Sequence, residues 1–187
     1  FFKENMPSVN LLKLKYTYGL VGNDGISGPS DRFFYLSEVN LNNGGTGYSF
    51  GTNYNNYYNG YIINRYANEN VTWEVATKSN IGLELGLFNK VSIQADYFTE
   101  HRKDIYMERQ YIPETSGLTT NISSNIGEVK TKGIDVSLDY NHAFSGDFYI
   151  TARGNFTYST NKILVNGEPE FQNKNLSRIG YPVNQQW

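Results

Sequence analysis

The 187-residue chain contains no cysteine and only two methionines and five prolines. Without cysteine, neither a disulfide framework nor thiol chemistry is available. No apolar run approaches the ~20 residues of a transmembrane helix, and the mean hydropathy is −0.54. Lys and Arg (16) nearly balance Asp and Glu (18), and no basic run favours nucleic acid. These absences argue against a disulfide-stabilised scaffold, a helical membrane protein and a nucleic-acid-binding protein.

What the chain does contain is aromatic residues, with 16 Tyr and 11 Phe, and long stretches of alternating hydrophobicity. The clearest stretch is residues 73–87, where every second position from Trp73 to Leu87 is mostly apolar and the intervening positions are polar, glycine or alanine. Period-two alternation indicates a β-strand with two different faces. The stretch is far longer than the ~5–6 residues of an ordinary strand.

A second alternating stretch begins at Val91, after a short polar break at Asn89 and Lys90, and predicts a β-hairpin. At ~3.3 Å per residue and a tilt of ~40°, the first strand could rise roughly 35 Å, enough to cross an apolar band ~25 Å tall. Alternation over this length therefore favours a transmembrane β-barrel, whose wall has no continuous apolar run because lipid-facing and lumen-facing residues alternate.

The remaining sequence predicts an all-β, antiparallel transmembrane β-barrel of which the chain supplies about five long strands. We expect the whole chain, residues 1–187, to be barrel domain. The predicted strands are residues 11–21, 73–87, 91–112, 125–141 and 148–163, and the predicted long loops are 22–70, 113–124 and 164–187. Residues 33–36 are a candidate short strand within the first loop. Short and long connections alternate, as in barrels with short periplasmic turns and long extracellular loops.

Two other interpretations fit parts of the pattern. A soluble β-sandwich, such as a carbohydrate-binding module, also uses alternating strands, but strand length and the one-ended loops argue against it. A hydrolase would need paired carboxylates, and Glu74, Glu84, Asp96, Asp135 and Asp139 share the polar face. Carboxylates on a wall that lines a hydrated lumen are commoner, so no catalytic, cofactor or metal site is predicted.

Several segments in order resemble the SusC/RagA-type TonB-dependent outer-membrane transporters. The first is LLKLKYTYGLVGND at residues 11–24, and the second is NVTWE at 70–74 with KSNIGLE at 78–84. DYF at 96–98, KDI at 103–105, NIGEV at 125–129, KGID at 132–135 and GYP at 180–182 follow in the family's order. Each motif alone is weak, but the ordered series covers nearly the whole chain.

The resemblance implies a roughly 22-stranded barrel with a plugged lumen, located in the outer membrane of a Bacteroidetes-type cell. It implies active import of nutrients such as glycans or peptides, without enzymatic activity and without a cofactor. The implied partners are a SusD-like surface lipoprotein that caps the barrel, TonB acting through a plug region, outer-membrane lipid, and an oligosaccharide or peptide substrate.

The chain departs from the family by lacking a plug domain, a TonB-contacting segment and a closing strand. About five strands cannot close a barrel, and open strand edges in lipid leave backbone groups unpaired. We therefore expect an internal piece of a larger transporter.

The best candidate for a binding site lies in the Tyr- and Asn-rich residues 48–66. Tyr54, Tyr57, Tyr58 and Tyr61 offer flat amphipathic rings, and the neighbouring Asn side chains offer hydrogen-bond donors and acceptors. This combination suits a sugar, a peptide or a protein lid. The alternative is a loop that only packs against neighbouring loops.

Overall fold

The computed structural model describes residues 6–26 and 33–185, with the Ser145 side chain left out. Residues 27–32 and 186–187 of the two longest predicted loops lie outside the described residues. The described residues contain seven strands: β1 (Val9–Asn23), β2 (Glu38–Phe50), β3 (Asn56–Arg65), β4 (Glu74–Leu87), β5 (Val91–Glu108), β6 (Ser123–Ser145) and β7 (Phe148–Val165). Short 3-10 turns occur at Glu114–Ser116 and Lys174–Leu176. No helix among the described residues is long and apolar enough to cross a membrane.

Five strands form one antiparallel sheet in the order β1-β4-β5-β6-β7, and β2 and β3 form a separate hairpin. This confirms the antiparallel all-β prediction and shows that the sheet is open rather than a closed barrel. The first long connection contains the β2–β3 hairpin, so most of it is not irregular. Residues 33–36 are turn and bend rather than the candidate strand, because Leu36 N donates to Phe33 O at 3.0 Å and closes the chain on itself.

The register of the sheet places most of the apolar residues of all five strands on one face. Leu14 lies opposite Leu83, which lies opposite Ala95, then Val136, then Phe156. The next row outward is Tyr16, Ile81, Tyr97, Ile134 and Tyr158. Because side chains of directly paired residues share a face, these rows form a continuous surface, which we call the apolar face.

The apolar face is uncovered. Leu14 is 76% exposed, Ile81 is 51% exposed, and the only buried hydrophobic residues among those described are Ala76 and Ile163. A β-sandwich needs a second sheet that buries such a face, and none packs here within residues 6–26 and 33–185. The soluble sandwich alternative is therefore wrong.

The opposite face, the polar face, carries ion pairs between neighbouring strands. Glu84 of β4 pairs with Lys15 of β1 at 2.7 Å and with Lys13 at 3.5 Å. Arg102 of β5 pairs with Glu74 of β4. Phe98 lies over Gly133 on this face, where a Cβ would collide with its ring. The ion pairs are partly exposed and individually weak, but they match a hydrated lumen and are incompatible with lipid.

The two ends of the sheet differ in their connections. Phe88 and Asn89 join β4 to β5 with positive φ values of 54° and 53°, and Lys90 N donates to Leu87 O at 3.0 Å. Gly146 and Asp147 join β6 to β7. The long connections all lie at the other end, which we call the long-loop end. β5 is bulged there, because Asp104 has a φ of 56° and the register shifts between Arg102 and Ile105.

Candidate functional site

The β2–β3 hairpin carries the aromatic residues that the sequence singles out. Its pairing is irregular, with register shifts between Asn40 and Asn43 and between Asn43 and Tyr48. Asn43 stabilises the bulge, because its Oδ1 accepts from Gly45 N at 2.8 Å and from Thr46 N at 3.2 Å. Thr46 Oγ1 then donates to Tyr61 O at 3.0 Å across the hairpin. Side chains therefore replace part of the backbone ladder.

Three rings form an exposed cluster near the tip of the hairpin. The ring centroids of Tyr48 and Phe50 are 5.5 Å apart, and those of Phe50 and Tyr58 are 5.8 Å apart, both in edge-on arrangements. Tyr48 is 67% exposed and Tyr58 is 63% exposed. We call Tyr48, Phe50 and Tyr58 the aromatic surface. Edge-on pairs at these distances are favourable, so the rings support one another while their faces stay open to solvent.

The structure does not bring the four predicted tyrosines together. Tyr58 belongs to the aromatic surface. Tyr54 lies in the tip turn with a φ of 52°, and Tyr57 donates its hydroxyl hydrogen bond to Gly44 O within the hairpin. Tyr61 is exposed further down β3. Tyr48 and Phe50 were not singled out individually, although their period-two spacing in residues 48–50 was a usable signal.

The base of the hairpin is anchored to the connection between β5 and β6. Thr119 N donates to the Tyr66 hydroxyl at 3.2 Å, and Thr119 Oγ1 donates to Ile63 O at 3.3 Å. Asn68 Nδ2 donates to Ser123 O at 3.0 Å. Hydrogen bonding with the Thr119 side chain, and then the hydrogen bond from the Thr119 backbone, lowers the pKa of Tyr66. These contacts hold the hairpin against the sheet at the long-loop end.

A cleft of about 490 Å³ lies between the hairpin base and the sheet. Its aromatic side is Phe34 against Tyr106, with ring centroids 4.9 Å apart, and the Arg65 guanidinium lies over Phe34 at 5.7 Å. Glu38 and Glu108 add carboxylates to its lining. Arg65 also donates to Leu36 O and Phe33 O at 3.3 Å, which fixes the turn that precedes β2. The cleft lies between the hairpin and the sheet, and the hydrogen bonds at the hairpin base join the two.

Asn125, in the NIGEV segment, ties three parts of the chain together. Its Oδ1 accepts from Thr72 N at 3.0 Å, and its Nδ2 donates to Thr72 O and to Asp104 O, both at 2.8 Å. The amide therefore joins the start of β4, the β5 bulge and β6. The NIGEV segment resembles a family motif in sequence, but only the structure explains why position 125 needs an amide. An amide can both donate and accept hydrogen bonds.

Three of the five wall carboxylates on the polar face are paired with cations. Glu74 is held by Arg102, Glu84 by two lysines, and Asp139 by Arg153. Asp96 accepts from Gln94 Nε2 at 3.0 Å. Asp96 and Asp135 lie opposite each other across β5 and β6, without a histidine or a third acid in the row. His101 pairs instead with Glu128, and His142 lies among the rings of Tyr140 and Phe144.

Comparison with known proteins identifies the family to which the chain belongs. The family described as "TonB dependent receptor-like, beta-barrel" matches residues 35–186. TonB-dependent receptor P3 of Formosa agariphila is 29% identical over 164 residues, covering 87% of this chain and 15% of the receptor. TonB-dependent receptor SusC of Bacteroides thetaiotaomicron is 27% identical over 165 residues, covering 87% of this chain and 16% of SusC.

Solved structures agree with the sequence relatives. The RagAB peptide importer in its "open-open" state superimposes with a TM-score of 0.72 at 25% identity, covering 97% of this chain and 19% of that chain. The RagAB peptide transporter gives a TM-score of 0.70 at 25% identity, with the same coverage. The chain thus spans about a sixth of the length of the curated relatives it matches.

The family assigns the two faces of the sheet. In an outer-membrane β-barrel, lipid-facing and lumen-facing residues alternate along each strand. The uncovered apolar face therefore contacts lipid, and the ion-paired polar face lines the lumen. The chain belongs to the TonB-dependent receptor β-barrel family, as an outer-membrane wall segment of the SusC/RagA type.

Proposed function

We propose that this chain is part of the wall of an active importer that takes up glycan or peptide pieces across the outer membrane. A SusD-like surface lipoprotein covers the extracellular mouth, and TonB drives import through a plug region. The wall itself performs no chemistry on the substrate. The observation that carries the proposal is the five-stranded sheet with one lipid-facing apolar face and one ion-paired polar face, in a chain that matches this receptor family.

The import proposal is tested with the full-length receptor in its host. Deleting its gene should abolish growth on one nutrient class, glycan or peptide, and plasmid-borne receptor should restore it. Deleting TonB should abolish uptake while leaving binding of the same nutrient to whole cells intact. Uptake that continues without TonB would contradict the proposal, as would degradation of the nutrient by the purified receptor.

We further propose that Tyr54, Tyr57, Tyr58 and Tyr61 belong to the region that touches substrate or lid, with the aromatic surface as its centre. Tyr48, Phe50 and Tyr58 are exposed and in ring contact with one another, and Asn56 lies opposite Phe50 on the same side of the hairpin. Sugar rings and peptide planes both stack on such rings, while the Asn56 amide offers hydrogen bonds. The hairpin base is pinned at Thr119 and Ser123, so contacts at the tip would be held in a defined place.

The change Tyr58→Ala removes one end of the aromatic surface without breaking a hydrogen bond that the structure shows. We expect the substrate concentration for half-maximal uptake to rise roughly two- to ten-fold, or lid association to weaken by a similar factor, from the loss of stacking. Uptake assays and co-purification of the surface lipoprotein measure the two effects separately.

Two further variants serve as controls. Tyr57→Phe keeps the ring but removes the hydroxyl that donates to Gly44 O, so it reports on hairpin integrity. Tyr111→Ala removes another exposed tyrosine from the extracellular end and should leave uptake unchanged. Equal effects of Tyr111→Ala and Tyr58→Ala, or no effect of Tyr58→Ala on either measurement, would contradict a role for the aromatic surface.

A further inference from the structure

The lysines of the two faces have different surroundings. On the polar face, Lys13 and Lys15 pair with Glu84, and Lys78 pairs with Glu100 at 3.5 Å. On the lipid-facing side, Lys130, Lys132 and Lys162 are exposed, and none has an ion-pair partner among the described residues. Charge is therefore balanced inside the barrel wall and left unbalanced on its outer surface.

The register shows that these three lysines lie directly above the apolar face. The last apolar row contains Tyr97, Ile134 and Tyr158. The next row outward on the same side contains Lys132, flanked by Thr99 and Thr160. One row further, Lys130 lies opposite Lys162 and beside His101. We call Lys130, Lys132 and Lys162 the lysine cluster.

Lys130 and Lys162 are like charges directly across a strand pair, an arrangement that destabilises a sheet when nothing neutralises it. The nearby carboxylate is Glu128, whose Oε2 is 3.1 Å from His101 Nε2. Lys103, also on the outward side of β5 opposite Val75, adds a fourth cation. The surface thus lacks enough negative charge of its own and suits an external anion.

We propose that the lysine cluster binds the phosphate group of an anionic lipid in the outer leaflet. The cluster lies where the apolar surface ends, so a lipid whose acyl chains cover Ile134 and Val136 would bring its headgroup to Lys132 and Lys130. Lysine ammonium groups above a membrane surface attract anionic headgroups, and tyrosines such as Tyr97 and Tyr158 favour the interfacial depth. A free phosphate would gain nothing from the apolar surface below.

The test uses full-length receptor in neutral detergent, titrated with diphosphoryl lipid A as the anionic lipid probe. Affinity is read by native mass spectrometry and by the rise in melting temperature. The double variant Lys130→Gln, Lys162→Gln should bind the probe roughly thirty-fold more weakly, at about five-fold per lysine. Lys132→Gln alone should weaken binding about five-fold, which supplies a milder variant if the double one does not fold.

The matched control is Lys90→Gln, Lys174→Gln, which removes the same charge from the β4–β5 turn at the opposite end of the sheet and from the loop after β7. It should bind the probe as the unmodified receptor does. Phosphatidylcholine and inorganic phosphate at the same concentration should not bind measurably. Equal weakening in the control pair, unchanged binding in the cluster variants, or equal binding of inorganic phosphate would each overturn the proposal.

The proposal rests on the outward orientation of the apolar face and not on the import activity. Uptake by the cluster variants is therefore measured in parallel and should be retained. Weakened lipid binding with normal uptake supports the lipid site, whereas unchanged lipid binding overturns it whether or not uptake is lost.

Discussion

Glu168 is the residue on which the folded-back segment after β7 depends. Its carboxylate accepts from Asn166 Nδ2 at 3.0 Å, from Arg178 N at 3.1 Å and from the Ser177 hydroxyl. Asn166 is buried. Burial alone would raise the pKa of Glu168, but these hydrogen bonds together lower it below its usual value of 4.5. The Glu168 side chain therefore favours its ionised form, and the hydrogen bonds of the loop converge on this carboxylate.

This arrangement predicts acid-sensitive opening of the segment. Because the pKa is lower in the folded loop than in an unfolded chain, the stabilisation is fully present above pH 4.5 and is lost as the pH falls through the lowered pKa. Hydrogen exchange of the Arg178 amide, corrected for its intrinsic rate, should speed up in that range. Glu168→Gln should expose this amide even at neutral pH.

The neighbouring acid provides the control for this prediction. Glu170 is exposed and takes part in no hydrogen bond that the structure shows, so Glu170→Gln should leave the pH profile unchanged. Identical profiles for Glu168→Gln and the unmodified receptor would contradict the role given to Glu168.

At the scale of elements, the β2–β3 hairpin is a separate two-stranded sheet, and contacts at its base attach it to the five-stranded sheet. Its strands contain many Asn and Gly, which are poor strand formers, and its register is broken by bulges. The hairpin depends instead on contacts between residues distant in sequence, such as Tyr66 with Thr119. Its stability and its orientation are therefore determined by different residues.

Thr119→Val should release the hairpin base while leaving the five-stranded sheet intact. The change removes the hydroxyl that donates to Ile63 O and contacts the Tyr66 hydroxyl, at a cost of about 1 kcal/mol per lost hydrogen bond. Limited proteolysis of the full-length receptor should then cleave the hairpin several-fold faster. Thr120→Val, at the adjacent residue, is the control, and equal cleavage of both variants would contradict the anchoring role.

At the scale of the whole molecule, the sheet is organised by the difference between its two faces rather than by a buried core. Val136 and Ser137 are consecutive residues of β6 that point to opposite sides. Val136 lies in the apolar row between Ala95 and Phe156, whereas Ser137 lies between Gln94 and Asn155, near Asp96 and Asp135. The same substitution at these two positions therefore tests which face of the sheet contacts lipid and which lines the lumen.

Val136→Arg should destabilise the full-length receptor by about 2–4 kcal/mol, the cost of a cation at the middle of the lipid-facing surface. Ser137→Arg should stay within about 0.5 kcal/mol of the unmodified receptor, because the lumen is hydrated and two carboxylates lie nearby. Unfolding in lipid vesicles and abundance in the outer membrane measure both. Equal losses of stability would contradict the assignment of the faces, and a larger loss for Ser137→Arg would reverse it.

The amino-acid sequence by itself determined the strands of the wall and which of their residues share a face. Period-two alternation is a local property, and it is strong because each strand must present one surface to lipid and the other to water. Leu83, Ile134 and Val136 could be assigned to the apolar face for this reason. The ordered motifs pointed to the family.

Only the tertiary structure decided the arrangement of the long-loop end. The hairpin within the first long loop, the aromatic surface, the amide of Asn125 and the loop around Glu168 depend on contacts between residues far apart in the chain. The lysine cluster likewise exists only because the register places Lys130 opposite Lys162. Such contacts leave no periodic signal, because each is a single pairing formed when the neighbouring strands have already come together.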